Sequence, residues 1–167
     1  MRIVVAAVSA ALIAIALPSA ARASDPANGE VSASHLVQEW TGQSYGYPGK
    51  VSPQLQTHQF CISPFCDSFS LDVKDAGHLK VDLTAPTSAK YVDVLVTKPD
   101  GSTEFLQGND TDTVQEVVYK DAAKGTYLFD IWPNELPVAY TGQYDGRAEL
   151  CTDAFSQCFL PPPDDEE

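Results

Sequence analysis

Apolar and polar residues alternate with period two through much of the chain. Phe69, Leu71 and Val73 alternate with Ser68, Ser70 and Asp72, and Leu79, Val81 and Leu83 alternate with Lys80 and Asp82. This spacing puts every second side chain on one face of an extended strand. The intervening DAG at 75–77 has turn chemistry, so the two runs read as a hairpin. Val92, Val94 and Val96 form the next run, and the PDG reversal at 99–101 leads into a short strand at 103–106. A strand over 114–120 follows the polar loop GNDTD, and DAAKG turns the chain into another at 126–132. There Tyr127, Phe129 and Ile131 share one face, opposite Leu128, Asp130 and Trp132. Residues 138–150 supply the last long extended segment, interrupted near Asp145-Gly146, and HLVQEWTGQ around Trp40 supplies the first.

About seven or eight such strands, with frequent turns and no long amphipathic helix, predict an all-β fold: two antiparallel sheets packed as a jelly-roll-like, disulfide-containing β-sandwich. A closed barrel is the alternative. Phe69, Leu71, Val73, Val81, Val94, Val96, Phe129 and Ile131 are expected to be buried together, with Asp72 and Lys80 facing solvent, because a one-residue slip would expose a whole apolar row. The hexapeptides TGQSYG at 41–46 and TGQYDG at 141–146 echo each other, too briefly to make a repeat but consistent with two strand ends of similar shape.

The ends set the compartment. Arg2, the apolar run 3–17 and the small residues leading to Ala21-Arg22-Ala23 read as a secretory signal peptide over 1–23, cleaved after Ala23. The run is shorter than the roughly 20 residues that span a bilayer. Residues 24–34 are small and polar and are expected to form a flexible leader to a β-sandwich domain at 35–159. The stretch 160–167, with three prolines and four acids, is expected to be a disordered tail. The whole chain carries a net charge of −13, and removing 1–23 takes away two arginines and no acid. Such a surface repels phosphate backbones and anionic lipid, so nucleic acid and stable membrane insertion are excluded as expectations. An extracellular protein with a basic patch, or a carbohydrate, is the expected partner of a monomer.

Export also favours oxidation of the four cysteines, which allow three connectivities. Local pairs, Cys61–Cys66 and Cys151–Cys158, are expected because Ser63-Pro64 can turn the first loop back and the second follows directly on a strand. Each would contribute about 2 kcal/mol through chain entropy. The crossed pairing remains a competitor, since it would close a loop of roughly ninety residues and contribute about 4–5 kcal/mol.

Candidate chemistry is sparse. His35, His58 and His78 are widely separated, and no nucleophile elbow, phosphate loop or dinucleotide fingerprint is present. No cofactor is required by the pattern. Asn109, Asp110 and Asp112, completed by Asp93 or Asp100, form the candidate Ca2+ site, because calcium takes roughly six to eight oxygens and alternating acids can converge within one turn; a solvated turn is the competing reading. Trp40, Tyr45, Tyr47, Tyr140 and Tyr144 gather in the first and last strand regions. If those strands are neighbours, the rings would make a flat patch for sugar rings or a protein loop, unless Trp40 and Tyr140 fill the core instead.

Several segments together resemble the small jelly-roll domains related to the bacterial pre-peptidase C-terminal domain, found in secreted proteins. They are EWTG (39–42), FCISPFCDSFSLDV (60–73), HLKVDLTAP (78–86), VDVLVTKPDGS (92–102), GTYLFDIWP (125–133) and AYTGQYDGRAEL (139–150). The segment VDVLVTKPDGS is also similar to a strand and turn in the P domain of proprotein convertases. Such modules accompany catalytic domains without performing the catalysis. The resemblance therefore implies a secreted, non-catalytic binding or accessory module; a small hydrolase using surface carboxylates and a structural envelope protein are the alternatives.

Overall fold

The computed structural model describes residues 24–45, 61, 66–84, 91–108, 114–134 and 141–159. Nine strands are present among them: β1 (Asn28–Val31), β2 (Val37–Tyr45), β3 (Asp67–Val73), β4 (Gly77–Thr84), β5 (Tyr91–Thr97), β6 (Thr103–Leu106), β7 (Val114–Ala122), β8 (Gly125–Asn134) and β9 (Thr141–Cys151). They form two sheets, ordered β1-β3-β8-β5-β6 and β2-β9-β4-β7. The architecture is the two-sheet β-sandwich that the alternation predicts, not a closed barrel. Every strand pairing is antiparallel except β1 with β3, which is parallel. Among the described residues no helix is long and apolar enough to cross a membrane.

Period-two alternation does the sorting. In β3 the odd positions are buried and the even ones half-buried, so Phe69, Leu71 and Val73 meet Val81, Val94, Val96, Phe129 and Ile131 in a core where none is more than 1% exposed. Burial of that apolar surface, at about 25 cal/mol per Å², is the main driving force for closing the two sheets. Asp72 and Lys80 stand on the opposite parity, with side chains 38% and 24% exposed. The outer face of the five-stranded sheet is only partly polar: Leu95 and Trp132 are each 3% exposed and join Cys66, with Cys61 and Phe105 at the margin, in a second apolar cluster.

Glycines shape the junction of β2 and β9. The echoing segments 41–45 and 141–145 lie directly opposite each other, with Gln43 facing Gln143, Gly42 facing Tyr144 and Trp40 facing Gly146. A Cβ on Gly42 would lie 2.2 Å from the Tyr144 ring, and one on Gly146 would lie 2.1 Å from the Trp40 indole. Each glycine thus leaves the space that the aromatic on the partner strand fills. Strand β9 runs without interruption through Asp145-Gly146, because pairing on both sides, with β2 and β4, holds the glycine extended.

The segment 24–34 is not a flexible leader. Ser24 is 4% and Val31 0% exposed, Asp25 exchanges two backbone hydrogen bonds with Thr41 of β2 at 2.7 and 3.1 Å, and β1 adds to β3. The segment crosses from one sheet to the other, so its polar residues are retained by backbone pairing and by the single apolar anchor Val31.

The two disulfides are local, Cys61–Cys66 and Cys151–Cys158. The second leaves β9 and encloses a short 3-10 turn at Phe155–Gln157.

Candidate functional site

The outer face of the four-stranded sheet carries an ordered array of charged side chains. Strand register aligns its side chains in rows across four strands: Glu39, Arg147, Asp82 and Glu116; Thr41, Asp145, Thr84 and Val114; Val37, Glu149, Lys80 and Val118. Arg147 binds Glu39 at 2.8 Å and Glu149 at 3.4 Å, while Lys80 binds Glu116 at 2.9 Å and Asp82 at 3.3 Å. The Glu116 contact holds the Lys80 ammonium above its usual pKa, against the opposing effect of burial and with help from Asp82. For Arg147 burial pulls downward, and the bonds to Glu39 and Glu149 outweigh it. Exposed pairs of this kind contribute at most about 1 kcal/mol each to stability. Their consequence is a surface of ordered charge.

A groove of about 670 Å³ runs over this face, lined by Asp25, Glu39, Thr41, Lys80, Asp82, Thr84, Val114, Glu116, Asp145 and Arg147, with Trp40 and Gly146 beneath. Five carboxylates surround two cations. Val114 and Val118, 42% and 38% exposed, add apolar surface on the edge strand β7.

The aromatic candidates divide. Strands β2 and β9 are neighbours, but Trp40 is 3% and Tyr144 1% exposed, both pointing into the core. Trp40 stacks on Phe69 with centroids 3.8 Å apart and planes 7° apart. These two rings therefore do not form an outward patch; parity places them on the inner face with Ala148 and Leu150, where aromatic area is best desolvated. Tyr45 ends β2 opposite Thr141, and Tyr47 and Tyr140 lie outside the described residues.

The candidate calcium ligands also separate. Asp93 is 2% exposed and its Oδ1 accepts the Gly108 N–H at 3.0 Å, which places it beside the start of the acidic loop. Asp100 lies beyond the other end of β5, where its carboxylate accepts the backbone N–H and hydroxyl of Ser102 at 2.9 and 2.6 Å. Four residues of strand from Asp93 to Thr97 span about 13 Å, too far for one coordination shell. Asp93 and Asp100, offered as alternatives, therefore cannot share one site, and Asn109, Asp110 and Asp112 lie outside the described residues. The atoms of Cys61, Cys66 and Asp130 lie within 4.8 Å of one another, but both sulfurs are committed to a disulfide, and metal binding needs the thiolate.

His78 accepts the Asp121 N–H through Nδ1 at 3.2 Å and meets Phe155 edge-on, His35 is exposed in the turn it forms with Ser32, and His58 lies outside the described residues. The groove itself was not evident from sequence. The outward parity of Lys80, Asp82, Glu116 and Arg147 was readable, but which strands lie side by side was not.

No protein-family model matches the chain, and no curated protein sequence matches it. Among solved structures it is similar to the pre-peptidase C-terminal domain of a collagenase from Bacillus anthracis, at 10% identity and a TM-score of 0.47, over 73% of this chain and 94% of that one. It is also similar to a periplasmic lysozyme inhibitor of g-type lysozyme from Aeromonas hydrophila, at 13% identity and a TM-score of 0.38, over 74% and 96% of the two chains. A third is a surface-associated copper-binding protein from Methylomicrobium album, at 7% identity and a TM-score of 0.44, over 74% and 98%. The collagenase domain belongs to the group of domains that the segments between 39 and 150 resemble.

Proposed function

We propose that the chain is a secreted, non-catalytic binding module and that its ligand, a cationic and partly apolar segment of an extracellular protein, lies in the groove on the four-stranded sheet. The carrying observation is the charge of that groove, where Asp25, Glu39, Asp82, Glu116 and Asp145 outnumber Lys80 and Arg147. Asp25 and Asp145 take part in none of the ion pairs among the described residues, so they are available to an incoming cation. The chain's net charge of −13 favours approach of a basic partner, and Val114 and Val118 offer it apolar contact. A sugar ligand is less well supported, because the rings of Trp40 and Tyr144 are spent in the core. Catalysis is also less well supported: Glu39, Asp82 and Glu116 are tied to Arg147 or Lys80 rather than converging on an enclosed pocket.

The test is fluorescence anisotropy with a labelled peptide of alternating Lys and Leu, against the same peptide with Glu in place of Lys. Binding of the basic peptide alone, weakening with salt and lost in the Glu116→Lys, Asp145→Lys double variant, is expected. Equal binding of both peptides, or of the basic peptide by the double variant, would reject the groove as the ligand face.

A further inference from the structure

Asp67 differs from the surface carboxylates. It opens β3 on the inward parity and is 4% exposed. Oδ1 accepts the backbone N–H groups of Ser24 at 3.0 Å and Ser68 at 2.9 Å, and Oδ2 accepts the hydroxyls of Ser24 at 2.9 Å and Tyr144 at 2.8 Å. Among the described residues none of the ion pairs includes Asp67. Such hydrogen bonds stabilise a buried carboxylate, and buried charges are ordinarily paired with an opposite charge as well.

Ser24 is equally buried, at 4% exposure. It is held there by the Asp25–Thr41 backbone pair and by β1 on β3, one anchor on each sheet. Room for the cluster depends on Gly42, since a Cβ there would lie 2.3 Å from Asp67 Oδ2. Independently of this geometry, the sequence places signal-peptide cleavage at the bond between Ala23 and Ser24. In the uncleaved chain the Ser24 nitrogen is a neutral amide. Hydrolysis adds the hydroxyl of water to the Ala23 carbonyl carbon and breaks the C–N bond. The Ser24 nitrogen takes the remaining proton of water and leaves as an amine, and at neutral pH the proton given up by the new Ala23 carboxyl makes it an ammonium.

We propose that Ser24 is the mature N-terminus and that its α-ammonium, created by removal of residues 1–23, is the buried cation that neutralises Asp67 and locks the start of the chain between the two sheets. Processing then does more than release the protein. It supplies the charge that completes the fold, and a chain with any residue left before Ser24 lacks it. The groove's ligand has no bearing on this proposal.

The experiment exports the full chain and reads its N-terminus by mass spectrometry, then compares the chain starting at Ser24 with one carrying a glycine before it. Expected are a first residue of Ser24, a melting midpoint about 5–10 °C above that of the glycine-extended chain, and near-abolition of that gap when both chains carry Asp67→Asn. Reductive methylation of the native α-amine, read by peptide mapping, is expected to be at least about tenfold slower when the chain starts at Ser24, as burial in an ion pair withholds the free amine. A mature terminus elsewhere, equal midpoints, or a gap that survives Asp67→Asn would overturn the proposal. If the Asp67→Asn chains do not fold, methylation decides it: equal labelling of the two wild-type N-termini overturns the proposal, and protection at Ser24 upholds it.

Discussion

Gly146→Ala adds one methyl group to the centre of β9, and its effect can be worked out from the contacts it meets. The new Cβ would stand 2.1, 2.3 and 2.6 Å from three carbons of the Trp40 indole, whereas nonbonded carbons settle at about 3.5–4.0 Å. The indole would have to retreat by more than about 1 Å. Phe69 stacks on the same ring at 3.8 Å and is 0% exposed, so the retreat disturbs a second core aromatic. Overpacking of this kind costs about 1–3 kcal/mol, loss of the stacked geometry about 0.5–1.5 kcal/mol, and replacing a strand glycine returns about 0.5–1 kcal/mol of backbone entropy. The expected net loss is about 2–3 kcal/mol, measured as the urea midpoint by far-UV circular dichroism. Trp40→Leu supplies the control, because with the indole gone the methyl has somewhere to sit. In that background Gly146→Ala should cost less than about 1 kcal/mol, a coupling of about 2 kcal/mol between two residues directly opposite across β2 and β9. A cost below about 0.5 kcal/mol in the parent chain, or equal costs in both backgrounds, would refute the reasoning.

Phe129→Ala, in a core position flanked by Phe69 on β3 and Val96 on β5, should lose about 3–5 kcal/mol in the same urea assay. Burial, then the adjacent Asp67 charge, raises the Tyr144 pKa well above 10.0. The folded state therefore holds that proton longer than the unfolded state, and stability present below pH 10 declines as pH rises through the folded pKa, at about 1.4 kcal/mol per pH unit. Urea midpoints measured from pH 9 to pH 12 should show this decline, and a shallower one in Tyr144→Phe. Asp100→Ala should leave any response of the melting midpoint to millimolar calcium or chelator unchanged, because Ser102 holds that carboxylate beyond the far end of β5. Peptide mapping without reduction should recover Cys61 with Cys66 and Cys151 with Cys158, and any mixed peptide would contradict the observed pairing.

What the sequence made legible was parity, and what it withheld was adjacency. Strands such as Phe69-Leu71-Val73 announce their buried face because the hydrophobic effect sorts side chains at period two whatever the neighbouring strand is. The stretch NGEV carries no such signature, since only Val31 turns inward and backbone pairing to β3 does the rest, so β1 read as a leader. Likewise the echo of 41–46 in 141–146 gained meaning only when the strands proved to be paired, Gly42 receiving Tyr144 and Gly146 receiving Trp40, the residue just before the first hexapeptide, across about a hundred residues of intervening chain. The ordered charges of the groove follow the same division. Their outward direction was written locally, while the strand order that aligns Glu39, Arg147, Asp82 and Glu116 was not. Asp67 shows how far parity alone can reach. It shares the odd positions of Phe69, Leu71 and Val73, so an acid stood on the apolar face of a readable strand, and an acid buried there requires partners. The demand was visible in the sequence; Ser24 and Tyr144, 43 and 77 residues away, meet it only when the fold brings them together.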